Sequence, residues 1–454
     1  MPRAAVLAPV LLLAAAACAD GPTAPDRPAL AGSPRMSVDS GVSAPAGRVV
    51  VSAPVTLAFV PGAYDVLTAV SAGRVEWMER YGIPEATVMK GLDLATRTVT
   101  VYRREDQWMV AGPVAAGPFT LWGAPDGWFR VRDARTGVVT TYGYGNNPYV
   151  SSTGRVVYET RAGLVAQDAI DAEPTVVAPR ENTSGFGWPG VETSLDGDIV
   201  VWAMQGPFTT VNSLAYADVA TGERRLLGFA RRRPAVNAGR IAWVEPSNGG
   251  ATLRLYDVAT HTARSLEAAP GAGDVAFSGD LVAWNDNRDV QETCRTPCDD
   301  VYAYDLVTRT EFPVATGSSN QTAVSVDADR IVWAERVPGG WEVRMATARR
   351  LIGESDLSSL VQRMASTGEI RDGATAQALA ALLADAARAH DGGDAAKERD
   401  ALIALRDRAQ RCAGRQIDAA AASRLAGMVN AMLPNLGAGV EGPGVTGGGT
   451  LAGR

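Results

Sequence analysis

Two histidines, four cysteines and scattered carboxylates are what this 454-residue sequence offers for chemistry. His261 falls in a turn signal and His390 near the end of a helical pattern. A histidine-based metal site or a Ser-His-Asp triad needs more than this pair supplies. No Gly-x-Ser-x-Gly elbow and no phosphate-binding glycine loop occurs. The sequence therefore assigns no catalytic residue, no cofactor and no metal. Asp286 and Asp289 flank Arg288 in one loop. Their oxygens suit Ca²⁺, but the spacing is not that of a calcium loop, and turn capping with a surface ion pair is the expected role. Arg231-Arg232-Arg233 precedes Pro234 and reads as a solvated loop, with docking of an acidic partner as the functional alternative. A glycosidase would need two carboxylates brought from different loops, which one sequence cannot display. Cys294 and Cys298 bracket Cys-Arg-Thr-Pro-Cys. An exported chain favours a disulfide there, closing a small loop with modest entropic gain. Cys412 reads as a small buried residue of a helix.

The elements that must position these residues follow from a repeat. Gly-Arg/Asp-Val/Ile-x-Trp recurs, most clearly at Gly73-Arg74-Val75-Glu76-Trp77, Gly239-Arg240-Ile241-Ala242-Trp243 and Gly279-Asp280-Leu281-Val282-Ala283-Trp284. The anchor aromatics are Trp77, Trp122, Tyr158, Trp202, Trp243, Trp284 and Trp333, spaced 36 to 49 residues apart. Strands repeating at that period predict a seven-bladed β-propeller. Leu281-Val282-Ala283-Trp284 is apolar on both alternating faces, as a blade sandwiched between neighbours requires. The indoles are therefore expected to pack between blades instead of forming a sugar platform. A second motif, as in Tyr256-Asp257-Val258-Ala259-Thr260, predicts an Asp-capped turn joining the third and fourth strands. The last copy lacks a fourth strand. One of the two strand signals at Val49-Val50-Val51 and Val55-Thr56-Leu57-Ala58-Phe59 is expected to complete it.

This region, 47–352, resembles the Tol-type family of bacterial propellers, through the Gly-Asp/Arg-Ile-Val-x-Trp and Tyr-x-Tyr-Asp-Leu-x-Thr motifs and through Trp284-Asn285-Asp286-Asn287-Arg288. The resemblance implies a binding or scaffold unit in the periplasm or at the cell surface. The N-terminus has Arg3, then the apolar run Ala4 to Ala17, which is too short to span a bilayer as a mature helix. Ending in Leu13-Ala14-Ala15-Ala16-Ala17-Cys18, it resembles a bacterial lipobox, with Ala15 where that family usually has Leu. The resemblance implies a signal over 1–18 and lipidation of Cys18. Residues 19–46, rich in Pro, Ala, Gly and Ser, suit a flexible tether.

From Ser355 the pattern becomes helical: Leu357, Leu360, Val361 and Met364, then Leu379, Leu382 and Leu383, then Leu402, Leu405 and Ala409, then Leu425, Met428 and Val429. Asp356 and Asp418 are placed as caps. This segment, 354–436, resembles the FIMAH module in Leu360-Val361, Gly368-Glu369-Ile370, Gly393-Asp394-Ala395-Ala396 and Gly414-Arg415-Gln416-Ile417. The tail, 437–454, is Gly-rich and expected to be disordered.

The expected fold is thus an all-β seven-bladed propeller followed by a small all-α bundle. Net charge is −7 and there is no basic stripe, so nucleic acid is not an expected partner. The expected function is non-catalytic binding of an envelope protein or a glycan by a lipid-anchored protein of the outer membrane or cell surface. The alternatives are a carbohydrate-active enzyme with carboxylates at the channel mouth, or a subunit of a Tol-like envelope complex.

Overall fold

The computed structural model describes residues 48–433 except 83–85, 108–110, 170, 180–191, 206–211, 248–249, 267–273 and 289–298. Cys18, Asp289, Cys294 and Cys298 lie outside the described residues, so the expected lipidation and disulfide do too. The chain opens with β1 (Arg48–Val51) and β2 (Val55–Pro61). The first blade is β3 (Asp65–Ser71), β4 (Arg74–Tyr81), β5 (Ala86–Asp93) and β6 (Val99–Glu105). The second is β7 (Ala111–Ala116), β8 (Phe119–Gly123), β9 (Trp128–Asp133) and β10 (Val139–Tyr144). The third is β11 (Asn146–Val150), β12 (Val156–Thr160), β13 (Gly163–Gln167) and β14 (Thr175–Pro179). The fourth is β15 (Glu192–Asp196), β16 (Ile199–Gln205), β17 (Asn212–Asp218) and β18 (Arg224–Ala230). The fifth is β19 (Ala235–Asn237), β20 (Arg240–Ser247), β21 (Gly250–Asp257) and β22 (Thr262–Ser265). The sixth is β23 (Val275–Ser278), β24 (Leu281–Asp286), β25 (Asp300–Asp305) and β26 (Thr310–Ala315). The seventh contains β27 (Gln321–Asp327), β28 (Arg330–Val337) and the long β29 (Gly340–Leu351).

Each blade is an antiparallel meander. Both N-terminal strands, not one, complete the seventh. β2 pairs with the first half of β29, Val55 opposite Met345 and Pro61 opposite Gly340, and β1 pairs with its far end, Arg48 opposite Leu351. The reason is length: at twelve residues, β29 offers more edge than the seven-residue β2 covers. This pairing hides an edge that would otherwise recruit another chain.

The seven anchors all sit in the second strand of a blade and are at most 3% exposed. Each packs against the preceding blade: Trp284 among Ala242 and Val244, Trp243 among Val201 and Ala203, and Trp77 against Val332 and Ala334 of the seventh blade. A carboxylate two residues on accepts the indole N–H in three blades, from Trp77 to Glu79 at 2.8 Å, Trp284 to Asp286 at 2.8 Å and Trp333 to Glu335 at 3.4 Å. A cation then neutralises each acid: Lys90 on Glu79, Arg288 on Asp286 and Arg344 on Glu335. Asp286 is therefore fully buried. It caps its turn, accepting the Arg288 N–H on Oδ1 at 2.9 Å, and pairs with Arg288, as expected from the sequence; the pair lies inward instead of at the surface because the indole also binds the carboxylate.

The second motif folds as expected. Asp257 Oδ1 accepts the Thr260 N–H at 2.9 Å, and Asp305 Oδ2 accepts that of Thr308 at 3.0 Å. The left-handed position four residues after each Asp holds Gly137 and Gly222, but also Arg97, His261 and Arg309. At the ends of the first strands a second set of bonds runs around the ring. Asp196 accepts from Ala238 N at 2.6 Å, Asn237 from Gly279 N at 2.8 Å and Ser278 from Ala328 N at 3.1 Å. Asp327 accepts from Gly73 N at 3.5 Å, which joins the seventh blade to the first. The Arg/Asp variation in the repeat also has a cause. Arg155 pairs with Asp198, and Arg240 with Asp280 at 3.0 Å, so the arginine of one blade meets the aspartate of the next.

Four helices follow, α1 (Glu354–Ser366), α2 (Gly373–Asp391), α3 (Ala395–Cys412) and α4 (Ala419–Met432). Their apolar faces share one core, which includes Leu357, Leu379, Leu402, Leu425 and the buried thiol Cys412. Asp418 caps α4 as expected. Asp356 caps α1 from inside the helix, as the acid of a capping box, and not from the N-cap position itself. It is the third helical residue and accepts the Gly353 N–H at 2.9 Å, because the helix starts three residues earlier than an N-cap at Asp356 would require. Val307, in the turn between β25 and β26, enters the helical core, and Gly427 of α4 approaches Val307 and Asp280. No helix among the described residues is long and apolar enough to cross a membrane.

Candidate functional site: the charged mouth of the central channel

The first strands of all seven blades line a central channel of about 610 Å³. The ring of bonds at their C-terminal ends shows that they run the same way, so the channel has an entry face, where they start, and an exit face, where they end. The exit side is lined by Ser71, Asp196, Asn237, Ser278 and Asp327, several of them held by that ring. The helical module docks on this face through Val307, and β1 begins there.

The entry side is different. Glu192 at the start of β15, Arg233 just before β19 and Asp274 just before β23 all line the channel, with Tyr149 and Arg80. Consecutive blades therefore contribute an acid, a base and an acid. Pro234 fixes the backbone after Arg233 and ends the Arg231-Arg232-Arg233 connection. Arg233 lines the channel and its side chain is exposed to solvent there. Burial works against its charge, yet Asp274, Tyr149 and Glu192 together hold the guanidinium above its ordinary value. Burial pushes the Glu192 carboxyl up, and Asp274 adds to that, while Arg233 and Arg232 oppose it. Among the described residues, Glu192 Oε2 is buried and has no hydrogen-bond partner. Burial also raises Asp299, with Arg232 opposing and Asp286, Asp300 and Asp274 reinforcing. A buried carboxylate oxygen without a donor, beside a guanidinium, is prepared to receive a polar ligand group.

The arginine run is thus not simply the solvated loop expected from the sequence, since its third member lines the channel. Glu192 and Asp274 carried no sequence signal, because they lie 82 residues apart and meet only through the ring. His261 stays in an exposed turn, its Nδ1 3.2 Å from the Tyr256 hydroxyl. Tyr64, Trp128, Tyr144 and Phe229 stand exposed at strand ends on the entry face. The longest connections, 180–191, 266–274 and 287–299, join strands that end or start on the same face.

A family model, the FIMAH domain, matches residues 354–434, the helical module. The propeller is similar in fold to several solved structures. An oligogalacturonate lyase in complex with manganese is 13% identical, with 69% of this chain and 100% of that one covered and a TM-score of 0.44. The β-propeller domain of the Trilobed protease from Pyrococcus furiosus is 11% identical, with 63% and 97% covered and a TM-score of 0.45. BamB from Moraxella catarrhalis is 12% identical, with 66% and 100% covered and a TM-score of 0.39. At such identities the likeness concerns the kind of fold alone. Among curated proteins, none matches this sequence.

Proposed function

We propose that this chain is a lipid-anchored, non-catalytic protein of the bacterial cell envelope, akin to Tol-type propellers, that binds a protein or glycan on its entry face. The observation that carries the reading is the inequality of the two faces. The exit face bears tight turns, the helical module and the start of β1. A tether from Cys18 would therefore reach the exit face and turn the entry face away from the membrane. That outward face holds the Glu192–Arg233–Asp274 mouth and the exposed aromatics, the residue types that anchor interfaces.

One observation favours the enzyme alternative. A carboxyl raised by burial beside a second carboxyl is how acid and base roles are separated, and Glu192 has that relation to Asp274. One experiment distinguishes the readings. Soluble chain starting at Ala19 is screened against glycans and envelope proteins, with turnover followed in the same wells. Saturable binding without turnover is expected. Arg233→Ala should weaken it by roughly ten- to a hundredfold, the worth of a charge-assisted hydrogen bond. Turnover that Glu192→Gln abolishes would replace the binding role with an enzymatic one. Stoichiometric capture of an envelope protein would favour a subunit role.

A further inference from the structure

At one end of the helical module three side chains from three helices converge. Glu354 opens α1, His390 is in the last turn of α2 and Glu398 is near the start of α3. His390 Nδ1 lies 3.2 Å from Glu398 Oε2 and 3.8 Å from Glu354 Oε1. One ligand atom from each residue falls within 4.8 Å of the others. Glu398 is only 4% exposed. Burial raises its carboxyl above the ordinary range, and a hydrogen bond with the Glu354 carboxyl adds to the rise, while His390 opposes it. The imidazole is itself raised, by its bond to Glu398 and then by the charge of Glu354.

Two carboxyls facing each other, one of them out of water, call for positive charge between them. An imidazolium supplies one charge for two acids, and its ring is largely in solvent. A divalent cation supplies two. Zinc holds imidazole nitrogen and carboxylate oxygen at about 2.0–2.2 Å, so neighbouring ligand atoms of a tetrahedral ion stand roughly 3.4 Å apart. The two separations seen here straddle that spacing. Oxygen and imidazole donors together suit a first-row divalent ion better than calcium or magnesium. We propose that Glu354, His390 and Glu398 bind one zinc ion through a carboxylate oxygen of each glutamate and Nδ1 of the histidine, leaving a fourth position to water. Glu354 follows the end of β29 by three residues, so the ion fastens the point where the propeller passes into the bundle.

The test uses the full chain, stripped with chelator and titrated with Zn²⁺ by calorimetry. Co²⁺ serves as an optical probe of tetrahedral coordination. His390→Gln replaces an exposed side chain, and the far-UV spectrum and melting temperature in chelator check that its fold is kept. Zinc held by cysteines is common to both chains and cancels in the comparison. The wild type should bind one more zinc than His390→Gln, show tetrahedral Co²⁺ bands that the variant lacks, and melt higher with zinc. His261→Gln should behave as wild type, and Glu398→Gln should weaken binding at least about tenfold. Equal zinc stoichiometry in wild type and His390→Gln, or no saturation by millimolar zinc, would overturn the proposal.

Discussion

Replacing Trp284 and Trp243 by Phe in separate chains isolates the role of the indole N–H, because the two side chains differ in little else. Both are buried anchors in second strands, at most 1% exposed. Trp284 Nε1 donates to Asp286 Oδ2 at 2.8 Å, and Arg288 Nε reaches the same oxygen at 2.7 Å. Among the described residues Trp243 Nε1 has no partner, although Glu245 stands two residues on, paired with Arg254 at 2.6 Å. Each substitution removes ~40 Å³ of side chain, about 1 kcal/mol at roughly 24 cal/mol per Å³. At Trp284 a hydrogen bond to a charged group goes too, adding about 1.5–3 kcal/mol. At Trp243 an unsatisfied donor disappears, returning about 1–3 kcal/mol. Trp284→Phe should therefore be the less stable chain by about 2.5–6 kcal/mol. Equilibrium urea unfolding, compared at equal slope, measures the difference. Equal costs at the two sites, or a greater cost at Trp243, would refute the view that the Trp-x-acid motif exists to satisfy the indole.

Deleting residues 48–61 removes the two N-terminal strands from the outer edge of β29, and the chain should self-associate through the bared edge. A monomer on size exclusion with an unchanged near-UV spectrum would show that closure is dispensable. Arg240→Glu sets two acids face to face between the fifth and sixth blades, and a cost of roughly 1 kcal/mol is expected, shrinking in high salt. A cost indifferent to salt would count against charge pairing. Glu76 is buried between the first two blades, where burial raises its carboxyl above the ordinary 4.5 while Arg74, Tyr102 and Thr120 oppose the rise. A raised carboxyl favours the folded state below the unfolded value, and that contribution fades as pH climbs through the folded value. Glu76→Gln should hence melt higher than wild type at about pH 7, with the advantage gone near pH 4. An advantage that is the same at both pH values would exclude ionisation as its cause.

What local periodicity encodes was legible in the sequence. The spacing of Trp77 through Trp333 counted the blades, Asp257 and Asp305 marked their turns, and Leu357 through Met432 marked the helices. These features are set by neighbours in the chain, since a turn needs its Asp and a blade needs apolar residues on both faces. Closure was half legible: the strand signals were plain, but whether one or both would pair depended on the length of β29.

The sites were a different matter. Which arginine meets which aspartate, as with Arg155 and Asp198, depends on the blade order around the ring. Arg233 looked like part of a solvated basic run, and only the channel put it between Glu192 and Asp274. His390 looked like a lone histidine at a helix end, and only helix packing set it beside Glu354 and Glu398. By itself the sequence determined the repeat, the turns and the two architectures, because each rests on residues a few positions apart. The tertiary structure decided which charged groups share a space, because electrostatic contact acts across distance in the fold and leaves no period in the chain.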